Sequence, residues 1–148
     1  MSQFSDITET LMVILKSPYI AAAADVDATV WNDLRVFYSS GPFIKGMNRG
    51  RIPFIHLYRA DTAFSWETEP EHGGVNTFRF KLDIHTGFGD ALDSESKAYF
   101  ILEESIKRIR GNVHCTSGQH EVQEIEDSPF GFALRLNFTV QLIFQARD

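Results

Sequence analysis

Hydrophobic and polar residues alternate along the segment Phe132–Phe144, which reads FALRLNFTVQLIF. Apolar side chains occupy its even positions, and the odd positions are polar or small until Ile143. A period of two predicts a β-strand with one face on a core and the other face in water. The segment is longer than the usual strand of about 3 to 10 residues. We therefore expect part of this strand either to extend beyond its own sheet, where it needs a partner, or to bend at a bulge.

Residues 76–86 form a second alternating segment and predict another strand. Residues 52–58 are apolar on both faces apart from His56, which indicates a strand covered on both sides and a core histidine with its hydrogen bonds satisfied. This strand is expected to resume after Asp61, because Phe64 and Trp66 keep the same parity, and residues 52–66 are expected to form a hairpin with residues 76–86. The odd positions of residues 76–86 point to the face opposite the apolar one: Arg79, Lys81, Asp83 and His85.

Helical periodicity predicts two helices, one over residues 6–16 with Ser5 as its cap and one that begins at Asp93 or Ser94 and ends at Gly111. On the second helix, Phe100 falls among charged residues on the face expected to be wet. An aromatic side chain at that position is unusual for an isolated monomer. Residues 19–38 fit helical and extended chain equally well.

The order of these elements predicts one α+β domain over residues 1–148, with a mostly antiparallel sheet of about four strands and two helices packed on one face. A chain of 148 residues has the size of one ordinary domain and can bury a sizeable core.

The formal net charge of −6 argues against a general binder of nucleic acid or of anionic membranes, because such binders cluster Lys and Arg. A single Cys excludes an internal disulfide. The N-terminal segment lacks the basic region of a signal peptide, and no run approaches about 18 apolar residues. The sequence therefore predicts a soluble protein that stays inside the cell.

Reactive side chains cluster only at His114, Cys115 and His120, with His72 or His85 as conceivable further ligands of a metal. Neighbouring residues of a strand point to opposite faces, so a lone buried thiol is the favoured interpretation. The sequence contains no recognisable catalytic motif. We therefore expect no enzyme activity, no metal and no cofactor.

Charged residues gather in three further segments. Residues 41–51 (GPFIKGMNRGR) predict an exposed, glycine-rich loop. This loop is interpreted either as a plain surface loop or as a docking segment for an acidic partner. The two acidic groups are interpreted as solvated turns or, alternatively, as the lining of a channel or a contact for the basic loop. The residues concerned are Lys45, Arg49 and Arg51 in the loop, Glu67, Glu69 and Glu71 in the first acidic group, and Glu121, Glu124 and Glu126 in the second.

Taken in order, the landmarks resemble those of the tail terminator proteins of long-tailed bacteriophages, also called tail completion or head-tail joining proteins. The landmarks are an N-terminal helix, Trp31-Asn32-Asp33, residues 53–58 (PFIHLY), a Gly-Gly turn, the strand at residues 77–85 followed by Gly87 and Gly89, a helix, and the long final strand. The resemblance covers nearly the whole chain except residues 19–38, where no clear element aligns.

The resemblance implies a non-enzymatic virion protein of the tail and neck, assembled in the host cytoplasm as a homo-oligomeric, six-fold ring. The implied partners are the tail tube protein and the head-side connector, with DNA passing through the ring without specific binding and with no membrane contact. The interface residues we expect are Lys45, Arg49, Arg51, Phe100, Arg135 and Gln141. The acidic residues Glu67, Glu69, Glu71, Glu121, Glu124 and Glu126 are candidates for the lumen or for an acidic contact.

Two interpretations of other classes stay open. The first is a small-ligand binder, in which the curved sheet encloses an apolar pocket lined by Phe78, Phe80, Phe132 and Phe138. The second is a thiol enzyme that uses Cys115.

Overall fold

Three helices and five strands make up the described part of this computed structural model, which comprises residues 3–19, 26–40, 53–65, 74–87, 89–112, 121–126, 128 and 130–144. The helices are α1 (Gln3–Lys16), α2 (Val26–Asn32) and α3 (Ala91–Asn112). The strands are β1 (Arg35–Ser39), β2 (Phe54–Ser65), β3 (Gly74–Gly87), β4 (Glu121–Glu124) and β5 (Phe132–Phe144).

The five strands form one sheet in the order β1-β2-β3-β5-β4. Strand β1 runs parallel to β2, and the other neighbours are antiparallel. The predicted α+β class, the single domain and the packing of helices against the sheet are confirmed. The described sheet has five strands where about four were predicted, and the additional strand is β1, which lies in the segment whose pattern fits helix and strand equally well.

The predicted final strand coincides with β5, but the expectation that it extends beyond its sheet is wrong on one side. Strand β3 pairs with it along its whole length, from the Gly87↔Phe132 pair to the Gly74↔Phe144 pair. On the other side, β4 pairs only with the four residues from Leu134 to Asn137. Strand β3 is thus about as long as β5, although the alternating pattern predicted only residues 76–86 of it.

The hydrophobic core lies between the helices and one face of the sheet. The predicted apolar face of α1 is confirmed, since Ile7, Leu11 and Leu15 are buried and Phe4 packs against the same core. The Phe4 ring stacks on the Phe80 ring with centroids 5.7 Å apart. The core residues of the sheet are the even-numbered apolar positions of β3 and β5, together with Ile55 and Leu57 of β2: Phe78, Phe80, Leu82, Ile84, Leu134, Leu136, Phe138 and Val140.

Helix α3 begins three residues before Ser94, so the predicted caps are wrong. Asp90 is the cap: its Oδ1 accepts a hydrogen bond of 3.0 Å from the backbone N–H of Asp93. Ser94 is buried within the first turn, and its carbonyl oxygen accepts a hydrogen bond of 2.8 Å from the Thr86 hydroxyl. Asp90, Asp93 and Ser94 lie within five residues, and each is of a good capping type. Side-chain type alone therefore does not show which of them is the cap.

The expectation that Phe100 lies on the wet face of α3 is also wrong. Its ring is half-buried against the core and meets the Tyr19 ring edge to face, with centroids 5.6 Å apart. Tyr19 follows α1 in the sequence, so this ring contact joins the segment after α1 to α3.

Residues 19–38 hold both kinds of structure within their described part, first α2 and then β1. Trp31 of α2 is buried, and its Nε1 donates a hydrogen bond of 2.9 Å to the carbonyl oxygen of Ser17. The backbone N–H of Tyr19 donates to Oδ1 of Asn32 over 2.8 Å. Helix α2 is therefore tied to the end of α1 by two hydrogen bonds.

Arg108 of α3 fastens this junction. Its NH1 donates to the carbonyl oxygens of Ile14 and Ser17, its NH2 donates to that of Pro18 over 3.2 Å, and its Nε donates to Glu104 over 2.9 Å. The last carbonyl groups of a helix have no partner inside the helix, and they attract a cation. The guanidinium also lies over the Trp31 ring, with 4.3 Å from Cζ to the centroid. None of the described helices combines the length and the hydropathy that a membrane-spanning helix requires.

We predict that Arg108→Ala lowers the free energy of unfolding by about 2 to 4 kcal/mol, because several charge-assisted hydrogen bonds to the carbonyl groups of Ile14, Ser17 and Pro18 are lost at once. Urea unfolding measures this change. The matched control is Lys107→Ala, which removes the same charge from an exposed position of the same helix and should cost less than about 0.5 kcal/mol. Equal losses in the two variants would contradict the role of Arg108.

Candidate functional site

Polar side chains cross the sheet in rows on the face opposite the helices. Strand register places His56 beside Asp83, and Asp83 beside Arg135, so that one row spans β2, β3 and β5. The flanking row brings Phe54 beside His85. We call the following residues the polar cluster: Ser39, His56, Tyr58, Asp83, His85, Ser128 and Arg135.

Asp83 is the centre of the polar cluster. Its side chain is 4% exposed and accepts two hydrogen bonds from Arg135, of 2.8 Å from Nε and 3.1 Å from NH2. Its Oδ2 also accepts a hydrogen bond of 3.0 Å from the Tyr58 hydroxyl. A carboxylate removed from water is tolerated only when it is paired and hydrogen-bonded, and both conditions are met here.

The Asp83 carboxylate shifts the pKa values of the two side chains that donate hydrogen bonds to it. The hydrogen bonds that Arg135 donates to Asp83 raise the pKa of Arg135. Burial, and next the negative charge of Asp83, raise the pKa of Tyr58. Both groups are therefore held in their protonated, donating forms, which are the forms that the carboxylate needs.

His56 lies in the same row and is 1% exposed. Its Nε2 lies 2.6 Å from the Ser39 hydroxyl oxygen, and its ring stacks on the Tyr58 ring at 4.8 Å. Its Nδ1 is buried and has no hydrogen-bond partner among the described residues. Burial lowers the pKa of His56 to about 4, although the nearby Asp83 opposes this shift. The imidazole is therefore neutral at neutral pH.

His85 joins the cluster to the turn before β5. Its ring stacks on the Phe54 ring at 4.5 Å and meets the Phe130 ring edge to face at 5.4 Å. Its Nδ1 lies 3.3 Å from the Ser128 hydroxyl oxygen. Burial lowers the pKa of His85 to about 4 as well. The aromatic enclosure thus keeps a second imidazole neutral.

The contact between Ser39 and His56 has the distance of a nucleophile and its base. A triad also needs a carboxylate on the other ring nitrogen of the histidine. Here that nitrogen has no partner, and both oxygens of Asp83 are occupied by Arg135 and Tyr58. The contact between Ser39 and His56 therefore supplies the nucleophile and the base of a triad but not its carboxylate. The Asp83 carboxylate pairs β3 with β5 instead.

The predicted interface residues within the described part fall into separate places. Arg135 is paired with Asp83 inside the subunit. Gln141 is half-buried on β5 opposite Thr77 of β3. Phe100 contacts Tyr19 on the helical side of the sheet. These three residues are therefore not brought together. Lys45, Arg49 and Arg51, as well as Glu67, Glu69 and Glu71, lie outside the described residues.

The second acidic group is exposed at one edge of the sheet. All four residues of β4 are exposed, including Glu121 and Glu124, and Glu126 is exposed in the turn that follows. The apolar side chain of Val122 is 43% exposed on the same strand. This edge, with Glu121, Val122, Glu124 and Glu126, is here called the acidic edge.

Two hollows are lined by described residues. One, of about 550 Å³, lies between the start of α3 and the turn before β5, and Glu95, Glu124 and Phe132 line it. The other, of about 320 Å³, lies between α1, α2 and β1, and Leu15, Trp31 and Val36 line it. Of the four phenylalanines expected to line an apolar pocket, three are buried in the core and pack ring against ring or against Phe4: Phe78, Phe80 and Phe138.

Within the described residues, no group of three or more His, Cys, Asp or Glu side chains has the arrangement of a metal site. His72, His114, Cys115 and His120 lie outside that part of the chain, so the thiol and metal interpretations that depend on them stay predictions. His85 is described, and its Nδ1 is engaged with Ser128.

Two of the polar side chains at the odd positions of residues 76–86 are buried: Asp83 is 3% exposed and His85 is 6% exposed. On the matching positions of β5, Ala133 and Thr139 are buried too. The sequence held one signal of this burial: β2 is apolar on both faces, so its neighbour in a hairpin must be covered on both faces as well. His56, expected to be a satisfied core histidine, is buried but keeps one nitrogen without a partner.

Comparison of the chain with protein-family models and with curated proteins finds no match.

We predict that Asp83→Ala lowers the free energy of unfolding by about 3 kcal/mol, because Arg135 is left half-buried without its counter-charge. Arg135→Ala should cost a similar amount, and the double variant should cost clearly less than the sum, with a coupling of more than about 1 kcal/mol. Urea unfolding of the three variants gives the coupling energy. Additive losses would show that the two side chains act independently.

We predict that the free energy of unfolding falls as the pH drops from about 6.5 towards 4, the interval set by the unfolded and folded pKa values of His56 and His85. In that interval the unfolded chain binds more protons than the folded one, so stability rises with pH, by about 1.4 kcal/mol for each pKa unit and each histidine. Urea unfolding across the interval tests this. The variant His56→Gln/His85→Gln should show a shallower slope, and an unchanged slope would assign the pH dependence to other groups.

Proposed function

We propose that the protein is a non-enzymatic subunit of a bacteriophage virion, which forms a closed, six-fold ring on the end of the tail tube. In this role the ring stops polymerisation of the tube and joins the tail to the head-side connector. The proposal extends the resemblance in the order of elements, and the α+β fold with helices on one face of the sheet is compatible with it.

The acidic edge is the observation that carries the proposal. Strand β4 ends the sheet, is exposed along all of its residues and has no second strand beside it within the described part of the chain. A sheet edge of this kind offers unpaired backbone groups to another chain, and charged side chains restrict which chain can use them. An exposed edge with an exposed Val122 suits a contact between subunits of a ring.

The charge of the protein suits the passage of DNA. With a net charge of −6, a ring of copies repels phosphates and does not retain the genome as it moves through. Glu121, Glu124 and Glu126 are exposed, as residues that face either a lumen or a neighbouring subunit must be.

We predict that the purified protein forms rings, alone or on the ends of tail tubes, and that its addition to polymerising tube protein limits tube length. Electron microscopy counts the rings and measures the tubes. A matched control omits the protein, and tubes should then grow without a defined length. The proposal is refuted if the tubes have equal length with and without the protein and if no rings form, either from the protein alone or on tube ends.

The small-ligand binder is the second candidate, and the hollow of about 320 Å³ favours it. Its size lies at the lower end of ligand pockets, and its lining is mostly apolar. This candidate requires a monomer or dimer in light scattering and saturable binding of an apolar fluorescent probe. Substitution of the lining residue Val36 by Asp should then abolish probe binding, whereas the ring proposal expects the probe signal to be unaffected.

A further inference from the structure

The larger of the two hollows lies where α3 begins, on the side of the sheet that the helices cover. Its volume of about 550 Å³ falls within the range of small-ligand pockets. Helix α3 contributes Ser94 and Glu95 to its lining, and the end of β4 with the turn that follows contributes Glu124 and Glu126. Three exposed glutamates therefore line one hollow.

Part of the wall of this hollow is bare backbone. Gly87 and Gly131 both line it, form a bridge with each other and have φ angles of 91° and 88°. Residues with a side chain are strained at such angles, whereas glycine adopts them readily. The two glycines therefore keep this wall free of side chains, and a ligand can approach the backbone closely.

A nearly buried hydroxyl group faces the same space. Ser94 is 6% exposed and belongs to the lining. Its carbonyl oxygen accepts the hydrogen bond of Thr86, but its Oγ has no hydrogen-bond partner within the described part of the chain. A Cβ atom at Gly89, another residue of the lining, would lie 3.9 Å from this Oγ. A hydroxyl that is shielded from water and lacks a partner costs free energy, which a ligand that hydrogen-bonds to it recovers.

The charge of the lining selects a cation. The start of a helix carries about half a positive unit charge, and this charge alone would favour an anion. Glu95, Glu124 and Glu126 place three negative charges around the same space. Because the three carboxylates outweigh the helix, the hollow repels phosphates and carboxylates and attracts ammonium groups.

The spacing of the carboxylates argues for a long ligand. Among the residues that the structure describes, no three or more His, Cys, Asp or Glu side chains converge closely enough to hold a metal ion. A single small cation therefore cannot satisfy the three glutamates together. Positive groups that are spaced along one molecule can reach them separately.

Apolar side chains complete the lining. Ala91, Ile125 and Phe132 offer surface against which methylene groups pack. A linear polyamine combines the two required features, because methylene groups separate its ammonium groups. One lysine or arginine side chain would neutralise only one of the three carboxylates.

We propose that the hollow at the start of α3 binds a linear polyamine. Its ammonium groups pair with Glu95, Glu124 and Glu126, and one of them also donates a hydrogen bond to Oγ of Ser94. The site lies within one chain, so this inference does not rest on the proposed ring.

Isothermal titration calorimetry of the full-length protein with spermidine, a triamine, tests the site at low salt. We expect one spermidine to bind per chain. The diamine putrescine should bind more weakly, and the monoamine butylamine more weakly still, because each ammonium group that is removed leaves one carboxylate without a partner. Magnesium chloride at matched ionic strength should not displace spermidine, since the carboxylates do not converge on one ion.

Substitutions in the lining identify the residues. Glu95→Gln with Glu124→Gln should weaken spermidine binding about tenfold, because two exposed charge pairs are lost. Ser94→Ala should weaken it about fivefold through the loss of one hydrogen bond. The matched control is Glu9→Gln with Glu103→Gln, which removes two charges at exposed helical positions outside the hollow and should change the affinity by less than about twofold. Circular dichroism melting checks that each variant folds, and the exposed glutamates test the site even if Ser94→Ala does not fold.

Four outcomes would overturn the proposal. The first is the absence of spermidine binding, and the second is an equal loss of affinity in the control variant. The third is displacement of spermidine by magnesium, which would show an unspecific acidic surface. The fourth is binding of N-acetyl-lysine amide as tight as that of spermidine, which would assign the hollow to one basic side chain of a partner protein. None of these outcomes changes the count of rings in electron micrographs, so the polyamine site and the proposed function fail or stand separately.

Discussion

The ion pair between Asp83 and Arg135 is the constraint that holds the two longest strands in one register. A shift of β5 by a single residue would turn Arg135 to the helical side and leave a carboxylate that is 4% exposed without its counter-charge. The same shift would move Leu134, Leu136, Phe138 and Val140 of β5 out of the core. Charge pairing on one face and hydrophobic burial on the other therefore specify the same alignment of strands.

The sequence predicted the parts of the fold that depend on long, regular patterns. Strand β5 coincides with its prediction, and α1 buries the face that its periodicity indicates, because a thirteen-residue alternation and a helical stripe each admit one simple solution. Strand β1 was not predicted because five residues are too few to display a period, and because it pairs with a strand distant in sequence. The partial burial of Phe100 was not predicted because Tyr19, which its ring contacts, lies in a segment without a clear pattern.

The candidate site was harder to predict than the fold. The members of the polar cluster are spread over four strands and the turn before β5, so only the register between strands shows that Asp83 meets Arg135 and that His56 lies beside Asp83. An alternating strand also looks the same in sequence whether its polar face is wet or covered. The burial of Asp83 and His85 is a property of the tertiary structure, which local patterns do not encode.

The position of β5 has a consequence for biosynthesis. This strand follows all the others in the sequence, yet it lies inside the sheet, between β3 and β4. While the ribosome still holds residues 132–144, the long edge of β3 and the side of β4 that pairs with β5 lack their native neighbour, and the Phe80 ring lacks the Phe138 ring on which it stacks. A nascent chain in this condition exposes an apolar, strand-like surface for the time of its synthesis, and it is then most open to chaperones and to pairing with the wrong strand. Insertion of β5 ends that interval in a single step, since one strand completes the core, the ion pair and the edge together.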